Sequence, residues 1–143
     1  MIISLVALLG ATLFTGAALY ITLVEHPARL GLEDGPLLQQ WQPSYNRALP
    51  IQSSLAVIGG VAGLLSGYLT RDWRCVAGSI ALLANWPFTL AVIMPINKRL
   101  QAMDPRQVHA DSREMLIQWG RLHDVRSLLG AIATLFFAAS FLR

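Results

Sequence analysis

Three stretches of the chain run without a charged side chain for longer than a bilayer is thick. Met1 to Val24, Ala48 to Thr70 and Cys75 to Asn97 hold 24, 23 and 23 residues with no Asp, Glu, Lys or Arg. A helix crosses the roughly 30 Å hydrocarbon core in about 20 residues. A fourth run, Ser127 to Leu142, has 16. Of the 143 residues only 13% are charged and 55% are apolar, whereas soluble domains carry about a quarter charged. The expected fold is all-α: one transmembrane domain over residues 1–143, with spans near 2–25, 46–70, 75–97 and 118–142 packed as an antiparallel four-helix bundle.

Several classes of function fall with that reading. The formal net charge of +3 resides in short loops, where membrane topology accounts for it, so nucleic acid is not an expected partner. Cys75 is a lone cysteine, and neither a disulfide framework nor a thiolate zinc site can be built within the chain. The first 24 residues lack a basic n-region and exceed the usual signal-peptide core, so they are read as a retained span.

Punctuation between the runs sets the expected boundaries. Glu25-His26-Pro27 ends span one, because proline lacks an N–H and disfavours helical geometry before it. Ala28 to Tyr45 holds two glycines and two prolines among leucines and Trp41, the composition of a partly ordered interfacial loop. Span two then begins near Ser44 or Arg47 and closes at Thr70. The turn Arg71-Asp72-Trp73-Arg74 is so short that spans two and three must be antiparallel neighbours. A polar linker, Lys98 to Asp111, follows span three, and Asp111 with Glu114 has the spacing of a capping box opening a last helix that ends near Leu142.

The charge-free part of that last helix rises only about 24 Å, short of the hydrocarbon thickness. Extending it to Leu122 brings His123, Asp124 and Arg126 to the membrane boundary or below, where ionisable groups are costly and face protein or water. The alternative is a snorkelling Arg126 and a headgroup-level His123. Small residues mark the expected inward faces: Ala7, Ala11 and Thr15; Gly59, Gly63 and Gly67; Ala77, Ala81, Asn85 and Thr89; Gly130, Thr134 and Ala138. Stepping back from Gly130 by four, three and four reaches Arg126, His123 and Trp119, which places all three on the bundle side.

Four spans in series gather the polar residues at one end: Glu25, His26, Tyr45, Asn46, Arg47, Gln52, Asn97, Lys98, Arg99, Trp119, Arg121, His123, Asp124 and Arg126. Loops on that side hold most of the basic residues, against Arg71, Arg74 and Arg143 opposite, so the polar end is expected in the cytoplasm. Such an end supports a general base, Glu25 or His26, with Arg47, Lys98, Arg99 and Arg126 stabilising an anion. Trp41, Tyr45 and Trp119 supply flat apolar walls for an aromatic substrate. No cofactor is favoured. A metal ion is the alternative, for which the donor set is His26, His123 and Glu25 or Asp124. The structural alternative is an ion-pair network, Glu25 or Asp124 with Arg126 or Lys98, fastening the bundle's end.

Four motifs in order, Gly16-Ala17-Ala18-Leu19-Tyr20 through Val24-Glu25-His26-Pro27-Ala28-Arg29, Trp41-Gln42-Pro43-Ser44-Tyr45-Asn46-Arg47, Pro95-Ile96-Asn97-Lys98 and Trp119-Gly120-Arg121-Leu122-His123-Asp124-Val125-Arg126, resemble the anthrone oxygenase-like family of small four-helix membrane proteins. The resemblance covers essentially the whole chain. It implies a four-span bundle in a bacterial inner membrane and oxidation of an anthrone to an anthraquinone by dioxygen, with His26, Asn97, Trp119, His123 and Arg126 as the positions carried over. His26 or His123 then serves as base, and Arg126 and Asn97 stabilise the oxyanion, with Trp41, Tyr45, Arg47, Lys98 and Trp119 binding substrate. The expected partners are the bilayer and a hydrophobic small molecule, with a second copy of the chain left open. Rival classes are a membrane transporter or small-molecule binder, disfavoured because the carboxylates lie at the ends of the spans, and an accessory subunit of a membrane complex.

Overall fold

The computed structural model describes residues 1–107 and 110–142; Val108 and His109 of the expected linker, and Arg143 of the charge count, lie outside them. Four helices are long and apolar enough to cross a membrane: α1 (Ile2–Leu30), α2 (Asp34–Thr70), α3 (Trp73–Ala102) and α4 (Ala110–Ala139). Each packs along its neighbour in the order α1, α2, α3, α4 and back to α1, with little contact across the diagonals. No strand occurs among the described residues. The protein is an integral membrane four-helix bundle.

Several expectations are corrected. Residues 28–45 are helical apart from a short turn, so α1 continues to Leu30 and α2 begins at Asp34, 12 positions before the expected start at 46, with Pro43 and Pro50 inside it. Arg113 of α4 closes the intervening turn by bonding Asp34 Oδ1 at 2.6 Å, the Leu30 carbonyl at 2.8 Å and the Leu32 carbonyl. Asp111 lies within the first turn of α4 rather than capping it, and the helix ends at Ala139 instead of Leu142. The short α2–α3 turn is as expected. Arg71 is left-handed (φ 57°), and the Asp72 side chain accepts the Arg74 N–H at 3.0 Å as the N-cap of α3.

Pro27 does not end the first helix because a wide π-turn precedes it. Ile21–Glu25 forms that turn, and the His26 N–H bonds the Ile21 carbonyl five residues back. Pro27 then falls in the first turn of a fresh α-segment, where its missing N–H costs little. In α3 the device recurs at Thr89–Ile93, where Met94 N–H bonds the Thr89 carbonyl and Pro95 follows in the next first turn.

These turns change which residues face inward. The buried positions of α1 step by four and three from Ala7 through Ala11, Phe14 and Ala18 to Ile21, the heptad stepping of bundle helices. Regular continuation would bury Glu25 and Ala28. The extra residue rotates the helix by about 100°, and His26 and Arg29 are buried instead. In α3 the positions Cys75, Gly78, Leu82, Asn85 and Thr89 would lead to Val92, Ile96 and Arg99; Ile93, Asn97 and Leu100 are buried instead. Of the expected stripe there, Ala77 and Ala81 are only half-buried. In α4 the inward row is Leu116, Trp119, His123, Arg126, Gly130, Ala133 and Phe137, the heptad drift having turned Ala138 outward.

Small residues set the helix spacing. A methyl added at Gly10 would stand 2.8 Å from Gly59 Cα, and one at Gly63 would overlap Ser79 and the Phe137 ring. Gly63→Leu is therefore expected to cost about 1–3 kcal/mol or more of stability, read as lost folded yield and a lower melting temperature in detergent. Wild-type stability would mean that this face does not pack against α3 and α4. Single cysteines at exposed Gln39, Arg71 and Gln107 test the topology: positions 39 and 107 should label from one side of the membrane and 71 from the other.

Candidate functional site

At the end where α1 and α4 carry their polar residues, the side chains enclose a cavity of about 20 Å³ walled by Arg29, Trp41, Tyr45, Trp119, His123 and Arg126. That volume admits one water-sized molecule. Trp41 stacks on Tyr45 with ring centroids 4.9 Å apart and meets Trp119 edge-on at 5.7 Å. Trp119 stacks on His123 at 4.9 Å and touches His26 at 5.3 Å. Trp119 thus bridges the two histidines expected to share a site.

His123 is 2% exposed and oriented by hydroxyls. Ser127 Oγ donates to the His123 carbonyl at 3.4 Å, Thr22 Oγ1 is 3.0 Å from Ser127 Oγ, and His123 Nδ1 is 3.2 Å from Thr22 Oγ1. With the Ser127 proton committed to the carbonyl, Thr22 donates to Ser127 and accepts from Nδ1–H. That assignment, made from the network, leaves Nε2 with its lone pair free to act as a base.

His26 is buried behind Trp119 rather than in the cavity wall. Its ring fills the space over Gly120, where an added methyl would overlap it. Neither ring nitrogen makes a hydrogen bond of normal geometry, the Leu116 backbone being near it. Asn97 also stands back from the cavity: its Nδ2 donates to the Tyr45 hydroxyl at 2.9 Å, which leaves the phenol proton uncommitted. Arg47 and Lys98, expected to bind substrate, are exposed and outside this wall. Glu25 is engaged by Arg29 at 2.6 Å, Ser44 at 2.6 Å and Gln40 at 3.1 Å. Among the described residues no three His, Cys, Asp or Glu side chains converge, so His26, His123 and Glu25 are not assembled as a metal set.

Arg126 defines the electrostatics. It is 6% exposed and has no carboxylate partner among the described residues; the ion pairs at this end are Glu25–Arg29 and Asp34–Arg113 instead. Its Nη2 donates to Gln52 Oε1 at 2.9 Å, its Cζ lies 5.7 Å from the Phe14 ring centroid, and its Nε has no partner. A buried guanidinium held by an amide and a ring face is an unsatisfied cation poised for a negative charge. Beyond the Arg126–Gln52 pair lies a second cavity of about 140 Å³, lined by Phe14, Asn85, Trp86 and Leu90 among others.

Sequence reasoning left Thr22 unmarked, named Ser127 only as the start of a charge-free run, quoted Arg29 and Ser44 within motifs but gave neither a role in the site, and named Gln52 without a role. Gln52 was findable: Trp41, Tyr45 and Gln52 repeat at four and seven, one helical face. Thr22 was not, because its approach to His123 depends on α1 lying beside α4.

The family model for anthrone oxygenase matches residues 41–136. The chain belongs to the anthrone oxygenase family. An anthrone oxygenase of Aspergillus fumigatus, tpcL, is 27% identical over 150 residues, which cover 96% of this chain and 91% of that protein. No solved structure matches. The segment matched by the anthrone oxygenase model contains Trp41, Tyr45, Asn97, Trp119, His123 and Arg126, while Glu25, His26 and Arg29 precede it.

Because Arg126 has no anion to leave behind, Arg126→Met is expected to cost no more than about 1–3 kcal/mol, the penalty of a buried Gln52 acceptor left without its donor, offset by relief of the buried charge. Thermal unfolding in detergent checks it. A loss of several kcal/mol would assign the guanidinium to holding the bundle together.

Proposed function

We propose that this protein oxidises a bilayer-dissolved phenolic aromatic of the anthrone type with dioxygen at His123, the ring entering from the neighbouring cavity of about 140 Å³ by displacing the Arg126–Gln52 pair, since the space beside His123 holds only a water-sized molecule. The observation that carries the reading is the pairing of a hydroxyl-oriented imidazole with a buried guanidinium that has no carboxylate partner among the described residues, on one wall lined by three aromatic rings. Family membership and the Aspergillus fumigatus relative support the substrate class.

His123 Nε2 takes a proton from the benzylic CH₂ opposite the anthrone carbonyl. The negative charge moves to the carbonyl oxygen, where Arg126 and the Tyr45 hydroxyl stabilise the oxyanion. Asn97 positions Tyr45 and has no direct role. The electron-rich anion passes an electron to dioxygen and recombines with it at carbon to form a hydroperoxide. Loss of the second benzylic proton with cleavage of the O–O bond leaves a ketone and water. One anthrone and one dioxygen give one anthraquinone and one water, so the ring supplies all the electrons. Excluding bulk water keeps the anion reactive toward oxygen.

The exposed basic residues Arg47, Lys98, Arg99, Arg106 and Arg121 near this end support placing it in the cytoplasm, at the inner membrane in a bacterial cell.

The test is oxidation of 1,8-dihydroxyanthrone by the protein in phosphatidylcholine nanodiscs, with oxygen uptake measured against anthraquinone formed. His123→Ala should lower kcat by about 100-fold or more while the folded yield stays unchanged. Thr22→Val should give a smaller loss of kcat with KM retained. A His123→Ala protein that turns over at the wild-type rate would remove the imidazole from the mechanism.

A further inference from the structure

Helices α2 and α3 pack closely along Trp73–Leu83 and separate beyond Asn85. They are tied again where Gln42 Nε2 bonds the Leu100 and Met103 carbonyls, both at 2.9 Å. The gap between these ties holds the cavity of about 140 Å³. Its flanking segments belong to the charge-free runs Ala48 to Thr70 and Cys75 to Asn97, so its mouth faces hydrocarbon. Trp86 and Leu90 stand exposed at that mouth.

An apolar cavity near 150 Å³ holds one benzene-sized ring. The floor, however, is polar. Asn85 is 2% exposed, its Nδ2 is committed to the Leu82 carbonyl at 3.0 Å, and its Oδ1 has no partner. Arg126 lines the floor with an unpartnered Nε. A lipid acyl chain would leave both groups unsatisfied, at the cost that buried polar groups carry. A flat aromatic with a hydroxyl beside a carbonyl satisfies both, the hydroxyl donating to Asn85 and the carbonyl accepting from Arg126.

We propose that this gap is a lateral binding chamber for a hydroxylated polycyclic aromatic drawn from the bilayer, with one ring inserted to the floor and the rest left between α2 and α3. The Arg126–Gln52 pair is the partition between the chamber and the cavity beside His123, since both residues line both spaces. The chamber stands on its own geometry; its role as the access route to turnover rests on the function proposed above.

The probe is 1,8-dihydroxyanthraquinone, which has no benzylic hydrogen to lose, added to the protein in phosphatidylcholine nanodiscs. It should quench the fluorescence that disappears in Trp86→Phe. Ser53→Phe, which fills the chamber from its half-buried wall, should weaken binding about tenfold or more, whereas Ser53→Ala should not. In turnover, Ser53→Phe should raise KM with kcat within about twofold. If Ser53→Phe does not fold, the Trp86 signal in the otherwise unaltered protein still decides. Quenching without any anthrone oxidation overturns the proposed function and upholds the chamber. Oxidation with no Trp86 quenching and an unchanged KM in Ser53→Phe overturns the chamber alone. Quenching of Trp86 by bromoacyl phosphatidylcholine that the anthraquinone does not relieve also overturns it, assigning the gap to lipid.

Discussion

A proline in a membrane helix leaves a carbonyl without its donor in a medium that offers no water to replace it. In α1 and α3 the way that constraint is met decides which residues face inward. Two π-turns, each ending two residues before a proline, carry α1 and α3 past Pro27 and Pro95 without breaking them. The extra residue in each turn moves the buried face onward by one position. His26, Arg29 and Asn97 enter the interior for that reason, while Lys98 and Arg99, which follow Asn97, remain outside.

The site these shifts help to build consists of aromatic walls around a few oriented polar groups. Trp119 on α4 sits at its centre, touching His26 of α1, Trp41 of α2 and His123 one turn further along α4. Arg126 lies beyond His123 and borders both cavities. An uncompensated cation at this depth opposes folding rather than favouring it. The proposed reaction would account for its presence, through the charge that develops on the substrate oxygen. The same group would hold a carbonyl in the ground state and an oxyanion in the transition state.

Much of the candidate site was legible because α4 keeps its period. Trp119, His123 and Arg126 are spaced by four and three, and counting back from Gly130 places all three on the inner face, where they are found. Arg47 and Lys98 show the opposite case. Charge and proximity in sequence suggested substrate binding, yet each lies one position from an inward residue, and one position on a helix is a rotation of about 100°. The helical Ala28 to Tyr45 segment was concealed by its prolines and glycines, whose local preference the turn-closing contacts of Arg113 override.

Read by itself, the amino-acid sequence determined that this protein lies in a bilayer, that it does so as four antiparallel helices, and that its polar residues gather at one end. Those conclusions need only the length of charge-free runs and the shortness of a loop, which are one-dimensional quantities. Tertiary structure decided which polar residues touch. The hydroxyl relay from His123 through Thr22 to Ser127, the bond between Arg126 and Gln52, and the gap between α2 and α3 each require two helices in a particular rotation. That rotation is set by single-residue π-turns and by glycine contacts such as Gly10 with Gly59, whose effect exists only once the helices are packed.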